Sequence, residues 1–128
     1  MLTPNTLVVV ADGASAVFWL NHGQGLNLEH SQTLSASDVA NDGPSGSTPP
    51  EQSIRDNDEA TFIKHLMHKL NNMALTNKIS GDVVIIADPN SLGQMRPQYH
   101  AKLAEKIVRE LPKTLVKASK QELEKALS

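Results

Sequence analysis

Cysteine is absent from the 128-residue chain, which excludes disulfide staples, thiolate metal sites and a Cys nucleophile. Aromatic side chains are scarce: Phe18, Trp19, Phe62 and Tyr99 are the whole set. The core must therefore be aliphatic, and a base-stacking platform for single-stranded nucleic acid is not expected. Neither sign of charge dominates, with twelve Lys and Arg against fourteen Asp and Glu and a formal net charge of −2. No global electrostatic footprint for nucleic acid or an anionic membrane follows. Long hydrophobic runs are missing too. The first, Leu7 to Ala11, is too short for a signal core or a membrane span, and Met1 to Asn5 carries no positive charge. These features lead to the expectation of a cytoplasmic, soluble protein without a membrane partner. At 128 residues the chain suits one domain, residues 1–128, with a core that needs no staples.

What is present is an alternation of strand and helix signals. Thr6 to Asp12 is a β-branched run of the kind buried on both faces of a sheet. It ends in the turn dipeptide Asp12-Gly13, and a second apolar run, Ala14 to Leu20, follows at once. After the turn at 21–25, weak alternation from Leu26 to Thr33 predicts a third strand, giving an antiparallel meander. Residues 35–56 hold Gly43, Pro44, Gly46, Pro49 and Pro50 and almost nothing apolar, so a long flexible loop is expected there.

Asp56 to Thr76 has acids at its start and Phe62, Ile63, Leu66, Met67, Leu70, Met73 and Ala74 at helical spacing. Gly81 breaks that pattern, and Asp82 to Asp88 reads as a second fully buried strand stopped by Pro89. Pro97 suits the first turn of a helix running to about Glu110, with His100, Leu103, Ala104, Ile107, Val108 and Leu111 on one face. Thr114 to Lys117 reads as a last short strand, and Ser119 with Glu122 as the capping box of a final helix. The order β-β-β-α-β-α-β-α is that of ribonuclease H-like folds. It predicts an α/β architecture, a five-stranded mixed sheet flanked by helices, with parallel pairing across the helical crossovers.

Two stretches carry a resemblance. LVVVADGASAVFW (7–19), and DVVIIADPNSLGQMR (82–96) followed by LVKASKQELEKAL (115–127), resemble the bacterial family of proteins required for attachment to host cells. That family is similar in fold to the middle domain of archaeal and eukaryotic peptide-chain release factors. The resemblance implies a release-factor-like domain with a ribosome, RNA or protein partner. In those factors a Gly-Gly-Gln loop before the long helix carries the hydrolytic chemistry. The equivalent segment here contains Gly43-Pro44-Ser45-Gly46, and no Gly-Gly-Gln occurs anywhere in the chain. The family's loop is usually more basic, whereas Arg55 is the one basic residue near it here. Release chemistry is therefore not transferred, and the reading is a non-catalytic binding domain with Gly43 and Gly46 as loop positions of interest.

Two alternatives come from the residues. Asp12, Glu59 (or Asp58) and Asp88 lie where ribonuclease H-like nucleases hold two divalent cations. Against that, Asp12 belongs to a turn dipeptide, Asp88 precedes Pro89, and acids at a helix start are dipole partners. No catalytic residue, metal or cofactor is assigned. A structural or oligomeric interaction protein is the other alternative. For binding, Asn90, Gly93, Gln94 and Arg96 form a polar turn before a helix, where backbone N–H groups and a guanidinium can meet an anion. The bland counterpart is Gly93 permitting a tight turn while Arg96 pairs with a nearby acid. His65 and His68 share a helix face but lack a third ligand, and His100 is expected to be partly buried and hydrogen-bonded. Lys113, Lys117, Lys120 and Lys125 tilt the C-terminal part towards positive charge.

Overall fold

A computed structural model describes residues 4–22, 27–35 and 55–127, with side chains in the first long helix from Glu59 onward. The elements are β1 (Leu7–Ala11), β2 (Ser15–Asn21), β3 (Leu28–Ser35), α1 (Arg55–Leu75), β4 (Val83–Ala87), α2 (Pro89–Met95), a 3-10 turn (Arg96–Gln98), α3 (Ala101–Ala104), β5 (Ile107–Pro112) and α4 (Lys120–Leu127). The strands form one mixed sheet in the order β3-β2-β1-β4-β5. β1–β2 and β2–β3 pair antiparallel, and β4 lies parallel to both β1 and β5. The α/β architecture expected from the sequence is the one observed. The long segment expected at 35–56 falls, from 36 to 54, outside the described residues.

β1 and β4 are buried along their whole length, as their unbroken apolar runs require. Period-two alternation divides them between two cores. Leu7, Val9, Ala11, Val83, Ile85 and Ala87 meet Phe62, Ile63, Leu66, Met67, Leu70, Leu92, Met95 and Leu103 on the face covered by α1–α3. Val8, Val10, Val84 and Ile86 meet Leu28, Leu123 and Leu127 on the face covered by α4. Trp19, Leu111, Leu115, Val116 and Ala118 fill in around that second cluster.

α1 is terminated just beyond Leu75 by Asn77, which takes the left-handed conformation (φ 61°) while the Lys78 N–H donates to Met73 O at 2.9 Å. Gly81 serves a different purpose. A Cβ there would stand 2.6 Å from the carbonyl oxygen of Asn5, so a side chain is excluded by the backbone crossing it.

Between 89 and 117 the structure departs from the sequence reading. The region expected as a turn, Asn90 to Gln94, is helix α2, and the helix expected from Pro97 to Glu110 does not form. Pro97 sits inside the 3-10 turn, where its missing N–H cannot continue α2. His100 then turns extended (φ −71°, ψ 151°) and caps the short α3, its Nδ1 accepting from Lys102 N–H at 3.0 Å. Ile107 and Val108, read as part of a helical stripe, begin the edge strand β5, because the buried backbone of β4 needs a second neighbour. Thr114 to Lys117 is accordingly no strand; the chain turns back there, with Ala118 N–H donating to Leu115 O at 2.9 Å.

Candidate functional site

Ligands of open α/β sheets gather beyond the carboxyl ends of parallel strands, and that end here is assembled from several elements. Ala11 and Ala87 are register partners, so Asp12 and Asp88 leave β1 and β4 side by side. Glu59, in the first turns of α1, packs on the β1–β2 turn so closely that a Cβ at Gly13 would lie 2.7 Å from its Cγ. β3 ends at the same place, with Ser35 opposite Ser15. Both described ends of the β3–α1 connection therefore sit at this end of the sheet, whereas Gly43 and Gly46 lie outside the described residues.

Two of the carboxylates at this end, Asp12 and Asp88, are occupied by backbone. Asp12 Oδ1 accepts from Ala14 N–H and Ser15 N–H, both at 2.8 Å, and faces Ser15 Oγ at 3.3 Å, closing an Asx turn. Asp88 is the N-cap of α2: its Oδ2 accepts from Ser91 N–H at 3.1 Å, and Pro89 takes the first helical position. Among the described residues no three His, Asp or Glu side chains converge as metal ligands. Asp12, Glu59 and Asp88 form no such group. His65 and His68 gain no third ligand either.

The anion-binding turn is likewise replaced by structure. Asn90, Gly93 and Gln94 are residues of α2, and Gly93 has open space where a Cβ would stand, so no tight turn demands it. Gln94 uses its carbonyl to accept from Gln98 Nε2 at 3.0 Å. Leu92 is buried beneath, as expected. Arg96 pairs with an acid: its Nε and Nη2 each reach Glu110 Oε1 at 2.9 Å. Glu110 Oε2 accepts from the Tyr99 hydroxyl at 2.7 Å. Burial first, and then Glu110 as hydrogen-bond partner and negative charge, hold the Tyr99 hydroxyl well above its ordinary pKa, with Arg96 opposing.

Asn71 is the residue that sequence reasoning missed. Its Nδ2 donates to Gln98 O and its Oδ1 accepts from His100 N–H, both at 2.9 Å, so one amide on α1 fixes the break between the 3-10 turn and α3. An Asn71-Asn72 pair between the apolar positions Leu70 and Met73 was the one available signal. His100, expected to be partly buried, is exposed, because its ring turns outward to cap α3. His22 pairs with Glu29 at 2.9 Å, and His30 stands edge-on to Trp19 with ring centroids 5.7 Å apart.

No described helix is long and apolar enough to cross a membrane. No curated protein matches the chain. The profile of one family matches residues 5–127, which spans every element of the sheet and both helical layers. The chain belongs to the bacterial archaeo-eukaryotic release factor family 12.

Proposed function

We propose that this protein is a non-catalytic, release-factor-like binding domain that works in the cytoplasm by contacting the ribosome or another macromolecule. One observation carries the reading. The connection entering α1 leaves the sheet at the end where the release-factor loop belongs, and its sequence contains no Gly-Gly-Gln. The surrounding carboxylates, Asp12 and Asp88, are engaged in a turn and a helix cap, which supports binding over hydrolysis. On this reading any effect on host attachment is indirect, arising through translation or an RNA-bearing partner.

The test is sedimentation with purified ribosomes through a sucrose cushion, run beside a peptidyl-tRNA hydrolysis assay. The expected result is protein in the ribosomal pellet with no hydrolysis above the protein-free control. Hydrolysis would overturn the non-catalytic assignment, and a pellet free of protein for every ribosomal state offered would overturn the ribosomal one.

A further inference from the structure

Charge is segregated along this chain in a way the net value of −2 conceals. Residues 1–54 contain no Lys or Arg and five acids, so all twelve cations follow from Arg55 onward. The sheet order turns that asymmetry into a spatial one, since β3, β2 and β1 carry no cation and β5 forms the opposite edge. Residues 96–113, which build the 3-10 turn, α3 and β5, hold Arg96, Lys102, Lys106, Arg109 and Lys113 against Glu105 and Glu110. Glu110 is neutralised by Arg96, while Glu105 and Asp82 line one cleft with Lys102 and Lys106. Lys102, Arg109 and Lys113 are exposed and Lys106 is half-buried. The ammonium groups of Lys102, Lys106 and Lys113 have no hydrogen-bond or ion-pair partner among the described residues, and Arg109 meets only the carbonyl of Leu127, at 3.3 Å.

We propose that this β5 rim holds the phosphate backbone of RNA, independently of base sequence. The proposal rests on the macromolecule-binding reading above and gives it a surface and a ligand class. The rim carries point charges without a means of reading bases. Its aromatic residue, Tyr99, is half-buried with its hydroxyl fixed on Glu110, and Trp19 lies on β2 across the sheet. A protein partner fits less well. Val108 is the one large apolar side chain exposed along the rim, and interface cores need buried aromatic or aliphatic anchors. Strand addition is opposed as well, because the register shift at Val108, the charges of Arg109 and Glu110, and Pro112 blunt the free edge. The β3–α1 connection, by contrast, has a sequence (36–54) without a single cation and with Asp38, Asp42 and Glu51, so phosphate contact falls to the rim and not to that segment.

Fluorescence anisotropy of a short labelled mixed-sequence RNA tests this on the full chain. About three phosphate contacts predict that affinity falls about 20- to 40-fold between about 50 and 200 mM salt. The variant Lys102→Glu/Lys106→Glu/Lys113→Glu, which spares the Arg109–Leu127 contact, should weaken binding about ten-fold or more and flatten the salt slope. The equally charged variant Lys64→Glu/Lys69→Glu/Lys117→Glu should change affinity by no more than about two-fold. Unchanged circular dichroism and melting temperature for both verify folding, and Lys→Gln replacements serve if the Glu triples fail to fold. Lack of RNA binding by the natural chain, equal loss in both variants, or binding to polyglutamate in place of RNA would overturn the proposal. Ribosome sedimentation separates the two readings. Unchanged sedimentation of the rim variant sinks the rim alone, and rim-dependent RNA binding without ribosomal sedimentation sinks the ribosomal reading alone.

Discussion

Two glycines illustrate how differently the same residue type is used. Gly81 lies under the Asn5 carbonyl, and Gly93 lies on the open side of α2. Gly81→Ala should therefore lower the unfolding free energy by on the order of 1–3 kcal/mol, through forced backbone movement. Gly93→Ala should raise it by about 0.5–1 kcal/mol, because it removes helical glycine entropy without meeting any atom. Denaturant titration of the two variants measures both, and a loss in Gly93→Ala would mean that residue 93 is not helical. Asp12 belongs to the same scale. Asp12→Ala removes the acceptor for two backbone N–H groups and should cost about 1–2 kcal/mol, whereas Asp12→Asn, which keeps an acceptor oxygen, should cost much less.

Tyr99 is the chain's single tyrosine, so tyrosinate absorbance reports it alone. Its neutral form is favoured in the folded state, so the folded protein keeps a proton that the unfolded chain releases near the ordinary value of 10.0. The stabilisation is complete below that pH and is lost as pH rises beyond it. The expected outcome is an absorbance midpoint above 10.0 in folded protein and an alkaline loss of stability that is smaller in Tyr99→Phe. A midpoint at the ordinary value would sink the idea.

At the scale of elements, α4 and the stretch from 96 to 112 mark the two extremes of what the sequence reveals. The capping box of α4 was readable because its whole mechanism is local. Ser119 N–H donates to Glu122 Oε1 at 2.9 Å, and Glu122 N–H to Ser119 Oγ at 3.2 Å. β1, β2, α1 and β4 were readable for the same reason, since their apolar periods lie within the element itself. β5 was not. Ile107 and Leu111 stand four apart, a helical spacing that an unbroken strand would also direct to one face. The register shift at Val108 instead sends Ile107 to the α1 side and Leu111 to the α4 side. No local pattern encodes that, because the partner strand imposes it. Asn71 was hidden likewise, its two acceptor and donor sites being matched by backbone across 27 and 29 residues of sequence. Asn71→Ala removes both bonds, the one to His100 exposed to water, and should cost about 0.5–1.5 kcal/mol, with faster amide exchange at His100.

At the scale of the whole molecule, one sheet separates two cores that do not touch across its backbone. Leu66 lies wholly in the first and Leu123 wholly in the second, both fully buried. Each Leu→Ala substitution should cost about 2–5 kcal/mol. The double variant should equal their sum to within about 0.5 kcal/mol, because distant sites without shared partners add. Coupling well beyond that would mean the sheet transmits strain between its faces. The candidate site belongs to this scale as well. Asp12, Glu59 and Asp88 were found in sequence because strand ends and helix starts locate them, but their engagement in a turn, a close pack and a cap depends on the assembled fold.

The contact between Leu28 N–H and Glu124 Oε2, 3.0 Å across 96 residues of chain, also sets an order in time. As the polypeptide leaves the ribosome, α1 to α3 can cover their side of β1 and β4 once about residue 104 has emerged. Val8, Val10, Val84 and Ile86 have only partial cover, from Leu28 and Trp19, until the chain from Leu111 to Leu127 arrives. The nascent protein therefore passes through an interval with one dry face and one greasy, open face, when pairing with a neighbouring nascent chain competes with its own completion. A chain truncated before α4 would keep that face open permanently.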